Sequence, residues 1–359
     1  MKHLSQLTDP VFVKPIKETA LDRLFKGWIR DERDLPFVYL TFKITLTLWP
    51  LAIIMYLPGV NNWLWWGAAI AYQFLNNLTF KGPFGLMLHC TSHRVLFEKK
   101  YQFWNHYLPW AIGPLFGQTP ESYYAHHIGM HHPENNMPED DSSTMRYQRD
   151  SSRDFALYLW NFVTLGVYDT ARYHLRKKRN KLFVRLVRGE LVFIAACVGL
   201  SFINFPATFV VFILPFLISR VIMMVGNWAQ HAFISTEEPE NSYKNSITCI
   251  NTKYNHKCWN DGYHISHHVK PSMHWTEHPV YFRQTLDEYI TNDAIVFDGI
   301  HFLHVWAYLM AKRYDLLAKN FVNIGDRFQT DAEIISFLKQ RTRKIVLAPV
   351  PAPVTAASC

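Results

Sequence analysis

Nine of the 18 histidines in this 359-residue chain fall into four groups: His89 and His93; His127, His131 and His132; His231; and His264, His267 and His268. Neutral imidazole is a common ligand for divalent transition metals. His89-Cys90-Thr91-Ser92-His93 spaces two rings at i, i+4, on one face of a helix. His127-Ile128-Gly129-Met130-His131-His132 repeats that pair and adds an adjacent ring, and His264-Ile265-Ser266-His267-His268 combines i, i+3 with i, i+4. Neighbouring residues on a helix project about 100° apart, so His131 with His132, and His267 with His268, suit two ions better than one. Nine imidazoles exceed what a single structural zinc, normally four-coordinate, can use. H-E-x-x-H is absent, which removes the commonest zinc-protease signature, and Glu-x-x-His is absent, which removes the carboxylate-bridged di-iron bundle. Ligand type alone suits iron, zinc or copper. A histidine-rich two-iron site fits best.

Each group sits at or just beyond the end of an apolar stretch. Residues 38–57 are mostly apolar, and about 20 residues at 1.5 Å rise cover roughly 30 Å, the thickness of a bilayer's hydrocarbon layer. Lys43 can snorkel to the nearer interface. Pro58-Gly59-Val60-Asn61-Asn62 supplies a tight turn, and Trp63, Trp65 and Trp66 stand where an aromatic belt belongs. The chain re-enters over 63–80 and, after Lys81-Gly82-Pro83, reaches His89 on the side where the first span began. The second half repeats the plan: 191–203 runs one way, Asn204-Phe205-Pro206 turns, and 207–233 returns past His231. The other two groups lie in polar stretches, 121–153 and 235–278, that connect on that same side.

The expected fold is therefore an all-α integral membrane protein, multi-pass, with four transmembrane helices in two hairpins. A cytosolic helical cap holds the histidine-rich di-iron site, and both termini are cytosolic. The divisions are an N-terminal cytosolic segment (1–37), the first hairpin (38–97), a cytosolic and interfacial segment (98–185), the second hairpin (186–234), the cap (235–345) and a disordered Pro- and Ala-rich tail (346–359). Residues 101–116 and 155–168 are apolar but short for spanning, and are expected as interfacial helices.

The net charge is +8, from 37 basic and 29 acidic residues, and eight of the basic ones lie between Arg172 and Arg188. Beside an apolar span, the positive-inside rule and anionic headgroups explain this better than a nucleic-acid surface. The five cysteines include no C-x-x-C pair, against a zinc ribbon, an iron–sulfur cluster or a thioredoxin-like site. Their odd number suits a reducing face. Residues 1–26 show no signal-peptide core, and with Cys359 in last place no prenylation box is expected. No dinucleotide fingerprint, flavin fingerprint or haem-attachment motif occurs, so electrons for redox chemistry must come from a separate protein.

H-x3-H, then H-x3-H-H, then H-x2-H-H, over residues from about 85 to 270, resemble the boxes of the membrane fatty acid desaturase and hydroxylase superfamily. That superfamily includes acyl desaturases and alkane monooxygenases. Asn227-Trp228-Ala229-Gln230-His231 is similar to its N-x3-H element. The resemblance implies that the nine histidines hold two ferrous ions, with Asn227 acting through water, and that O2 is the co-substrate. It implies a fatty acid or acyl thioester as substrate, and a ferredoxin or a cytochrome with its reductase as electron donor. Desaturation is the default outcome; hydroxylation, or decarboxylation to a terminal alkene, shares its start. The first box has x3 where many acyl desaturases have x4, which is nearer the alkane hydroxylases and the bacterial fatty acid enzymes that release a terminal alkene.

His126 could satisfy a looser second box, but the x3 spacing selects His127 and leaves His126 in a supporting role. Metal-bound imidazoles usually donate their other N–H to a carboxylate or carbonyl. Glu134, Asp140, Asp141, Asp261 and Glu277 lie beside the boxes as candidates for that role. His274 and His278 fit structural or substrate-edge roles better than ligation. A histidine-site metal transporter is the rival from another class, but it would hold its ligands near the bilayer midplane. Residues 46–57 and 191–202 carry neither charge nor histidine.

Overall fold

The computed structural model describes residues 1–345, and the tail expected at 346–359 lies outside the described residues. The first long helix, α1 (Leu35–Tyr56), starts with Pro36 in its opening turn, where a missing N–H leaves nothing unpaired. After Leu57-Pro58-Gly59 the chain turns, and the Asn61 side chain accepts from Leu64 N–H at 2.9 Å to cap α2 (Asn62–Phe74). A π-helical turn, Leu75–Phe80, carries α2 directly into α3 (Lys81–His93). Lys81-Gly82-Pro83 therefore does not interrupt this leg. The carbonyl that the Pro83 ring would strike, that of Thr79, lies in the widened π turn, which absorbs the clash.

Helix α4 (Ser152–Arg176) is longer than the short interfacial helix expected at 155–168. Its capping serine, Ser151, accepts from Asp154 N–H at 3.2 Å. Residues 99–116 form short 3-10 and π-helical turns instead of one helix. Helix α5 (Asn180–Thr208) starts earlier than the apolar run suggests, and it breaks at Asn204 (φ −157°, ψ 96°). The chain returns through a π turn, Phe209–Ile213, into α6 (Leu214–Gln230). Among the described residues, two stretches, Glu32–Tyr56 and Asn180–Gln230, are long and apolar enough to cross a membrane.

Contacts along the legs fix their directions. Trp65 Nε1 donates to the Met55 carbonyl at 3.0 Å, and the Thr41 hydroxyl approaches Met87 Sδ at 3.9 Å, so α1 runs against α2 and α3. Glu190 faces Arg220 at 3.6 Å, and Phe193 stacks on Phe216, so α5 runs against α6. The two turns meet: Asn204 Nδ2 donates to the Met55 carbonyl at 3.1 Å, and the Tyr56 and Thr208 hydroxyls are 2.8 Å apart. His89 and His231 thus end their legs at the opposite pole. Large apolar side chains stay exposed along these legs, with Leu46 at 71%, Leu78 at 76% and Phe202 at 89%.

Beyond α6 the structure is not wholly helical. Strands β1 (Ile247–Ile250) and β2 (Ile295–Asp298) pair in parallel, with Ile247 opposite Ile295. Helix α7 (His264–Val269), which carries the third box, follows β1. Both strands are fully buried, and Cys249, Phe297, Leu317, Phe321 and Ile334 form the core around them. Each buried Phe, Leu or Ile there contributes roughly 1.5–3 kcal/mol. The N-terminal segment belongs to this unit. Buried Asp9 accepts from Asn251 N–H at 2.7 Å, Asn255 Nδ2 at 3.0 Å and the Tyr263 hydroxyl at 2.7 Å, immediately before His264. Gly262 passes so close to the Cys249 carbonyl that a Cβ would lie 2.3 Å from its oxygen, so no other residue fits between strand and box.

Much of the basic run at 172–188 is engaged within the protein. Arg176 and Lys177 pair with Glu139, Arg185 pairs with Glu121, and Arg188 lies over Trp110.

Candidate metal centre

The end of α3, the turn before α4, the end of α6 and helix α7 bring all nine box histidines together. They form two groups. His89, His93, His127, His132 and His267 make one, and His131, His231, His264 and His268 make the other. Within each group the donor atoms all lie within 4.8 Å of one another. The adjacent pairs divide: His131 and His132 go to different groups, as do His267 and His268.

His127 shares its group with His132, five residues on, and not with His131 at i+4. The cause is local. Residues His127–His131 form a π-helical turn in which His132 N–H bonds to the His127 carbonyl. Such turns make i and i+5 neighbours. Two features hold it. The α-helical donor to the Gly129 carbonyl would be residue 133, a proline with no N–H, and the Arg179 guanidinium donates to that carbonyl instead. The fully buried His174 donates from Nε2 to the Ala125 carbonyl at 3.0 Å. Gly129 is obligatory, because a Cβ there would lie 2.8 Å from the His174 ring.

The donor set fits metal. His89 and His267 have Nε2 atoms 2.8 Å apart; the distances are 2.9 Å for His132–His267, 3.0 Å for His127–His132 and 3.1 Å for His93–His127. In the second group His264 is 3.1 Å from His231 and 3.0 Å from His268. Nitrogens about 2.1 Å from one ion and at right angles to each other lie about 3.0 Å apart. Outer partners set the tautomer of two of the rings. His131 Nδ1 donates to Asp140 Oδ2 at 2.6 Å, and His231 Nδ1 donates to the Asn245 carbonyl at 2.9 Å. With the proton on Nδ1, the Nε2 atoms of His131 and His231 each offer a lone pair toward the other imidazoles of their group, the form a metal ligand takes. Burial, reinforced by neighbouring imidazoles, holds His89, His127, His132, His264, His267 and His268 well below the ordinary histidine range. The same causes bring His93 to about 4 and His231 to about 3. The neutral, ligating form is therefore the resting one.

With this geometry in view, the matching family is informative. The family model for fatty acid desaturase matches residues 63–297. The chain belongs to the fatty acid desaturase family. The match takes in every box of this desaturase-family chain, from His89 to His268. No curated protein and no solved structure gives a significant match.

The supporting residues expected from sequence divide. Asp140 bonds His131, and buried Asp261 places Oδ1 3.7 Å from His89 Nδ1 while accepting from the Tyr254 hydroxyl at 3.1 Å. Burial pushes the Asp261 carboxyl up to about 7. Three acids turn elsewhere: Asp141 accepts from Thr170, Glu134 from Tyr173 and Lys177, and exposed Glu277 from Arg33. His126 stands outside both groups, with Nε2 3.9 Å from Asp140 and the ring against Phe162. His274 pairs with Asp34 at 2.9 Å, and His278 meets the Ser266 hydroxyl at 2.7 Å. Asn227 Nδ2 donates to the Ser142 carbonyl and meets the Tyr158 hydroxyl, each at 2.8 Å, which fixes the orientation of the amide. Sequence reasoning missed Asn245, whose contribution is a backbone carbonyl and carries no side-chain signal. It also missed Tyr123, which stacks on His127 with ring centres 5.1 Å apart.

A cavity of about 230 Å³ opens beside the imidazoles, between α3 and α6. His89, His127, His131, His264 and Asn227 line one part of it, and Leu86, Ile222, Met223 and Met224 line apolar walls.

Proposed function

We propose that this chain is an integral-membrane oxidase in which the nine box histidines hold two iron ions and act with O2 on a fatty acyl chain, desaturation being the favoured outcome. The reading rests on one observation: five and four imidazoles in adjoining groups, six of the nine buried, with donor atoms at ligand spacing. Iron bound there supplies the O2 chemistry that breaks an unactivated C–H bond. The protein's own part is positional. Asp140 and the Asn245 carbonyl fix the tautomers of His131 and His231, and Asn227 holds a water for the four-imidazole group. The apolar cavity aligns the acyl chain and keeps bulk water from the reacting carbon.

Two glycines support a channel for that chain. A Cβ on Gly85 or on Gly226 would meet nothing within 4 Å, and both residues line the cavity. In this reading α1, the α2–α3 leg, α5 and α6 all cross the bilayer, with exposed apolar side chains facing lipid and the histidine pole cytosolic. The cap extends from residue 235, and a separate ferredoxin, or a cytochrome with its reductase, delivers electrons.

Metal analysis of the purified protein is expected to give two irons per chain. Mass spectrometry after feeding saturated fatty acids with a reductant system is expected to show an unsaturated acid. A hydroxy acid or a shortened alkene would redirect the reaction while keeping the site, and protein that retains zinc and yields no O2-dependent product would end the reading. Gly226→Leu fills open space, so it should leave iron content intact and cut turnover of long chains roughly 10-fold or more, as a small misplacement in an active site does. Unaltered chain-length preference would count against the channel.

A further inference from the structure

The same cavity contains a cation that the chemistry above does not use. Lys81, the first residue of α3, is 8% exposed and lines the cavity about eight residues, or roughly 12 Å of helix axis, before His89. Its Nζ donates to Ser219 Oγ at 2.9 Å and lies 3.5 Å from the Phe116 carbonyl; neither carries a charge. No acidic side chain balances it among the described residues. The Phe116 carbonyl already accepts from the Ser219 hydroxyl, so the lysine is not needed to satisfy it. Gln118 joins the two at the cavity wall, its amide otherwise meeting the Met223 sulfur at 2.9 Å. A buried, uncompensated ammonium is costly, and an ionisable group at membrane depth calls for a functional partner.

We propose that Lys81, with Ser219 and Gln118, binds the carboxylate of an unesterified fatty acid. This rests on the acyl-substrate reading and adds the head group. A few polar side chains converging in an apolar cavity fix a ligand's orientation, and the missing counter-charge is an anion small enough to reach a side chain enclosed on nearly every side. A thioester or a glycerolipid ester brings no charge to that point. Anchored there, the acid presents the same carbon to the imidazoles at every turnover.

Equilibrium binding of a radiolabelled saturated fatty acid and of its methyl ester to the purified full chain tests this. Wild-type protein should bind the acid roughly 10- to 100-fold more tightly than the ester, the range of a charge-assisted hydrogen bond. Lys81→Met should erase that gap by weakening acid binding alone, and Lys81→Arg should keep part of it. Because Lys81→Met removes an unpaired charge and orphans no carbonyl, it should melt no lower than wild type, whereas a merely structural lysine would be missed. An undiminished gap in Lys81→Met overturns the proposal. If that variant loses its iron, Lys81→Arg and Ser219→Ala decide, and a gap unaltered in both overturns it. Wild type binding acid and ester equally removes the lysine site alone. Wild type binding neither removes the acyl-substrate reading itself.

Discussion

The two histidine groups are built on different plans. The five-member group draws His89 and His93 from α3, His127 and His132 from the π turn, and His267 from α7; His93 and His132 remain half-buried. The four-member group is braced from behind: Asp140 holds His131 and the Asn245 carbonyl holds His231. One group gains its hold from number and the other from orientation. A site with a spare ligand tolerates a loss that a site with fixed tautomers and no spare does not.

Removing one ligand from each group tests this most severely. His231→Ala leaves three imidazoles where there were four, and His93→Ala leaves four where there were five. His231→Ala should fall toward one iron per chain and lose activity by about 100-fold or more, beyond what outer partners of a metal site are worth. His93→Ala should keep close to two irons and lose less. Metal analysis with turnover on the same preparations decides, and equal iron loss in both variants would erase the distinction between the groups.

The second contrast concerns the outer partners. Asp140 makes a 2.6 Å bond to His131, while Asp261 stands 3.7 Å from His89 Nδ1, beyond hydrogen-bond range. Asp140→Asn should weaken metal binding roughly 10- to 100-fold, and Asp261→Asn by clearly less. Competition with a graded series of chelators measures both. The reverse order would mean that Asp261 closes onto His89 when metal binds.

The box positions were legible because ligand chemistry restricts residue type and helical periodicity restricts spacing. The division of adjacent histidines between two groups followed from the same periodicity. The partnership of His127 with His132 did not, because an α-helical ruler cannot register a π turn, although Pro133 four residues after Gly129 marks where the ladder must fail. The parallel pairing of β1 with β2 was hidden for another reason. Each strand has four residues, and the partner lies nearly fifty positions away, so no local pattern records it. Asp9 was equally silent: its role behind Tyr263 depends on a contact across more than two hundred residues. Among the acids beside the boxes, proximity in sequence did not choose between Asp140 and Asp141. The first turns toward His131 and the second toward Thr170.

The mildest change addresses how the two groups are kept apart. Arg179 satisfies the carbonyl that Pro133 leaves without a donor, so Arg179→Ala should cost roughly 1–3 kcal/mol, the penalty for an unpaired buried acceptor. All nine ligands remain, so iron should still bind. The π turn, however, loses a constraint that sends His131 to one group and His132 to the other. Mössbauer spectra of the iron-loaded variant should therefore broaden or merge the signals of the two sites, with Arg179→Lys restoring part of the difference. Spectra identical to wild type, alongside a lowered melting temperature, would show that Arg179 stabilises the fold without setting the separation of the two groups, and the turn itself would then carry that role through Pro133 and Gly129.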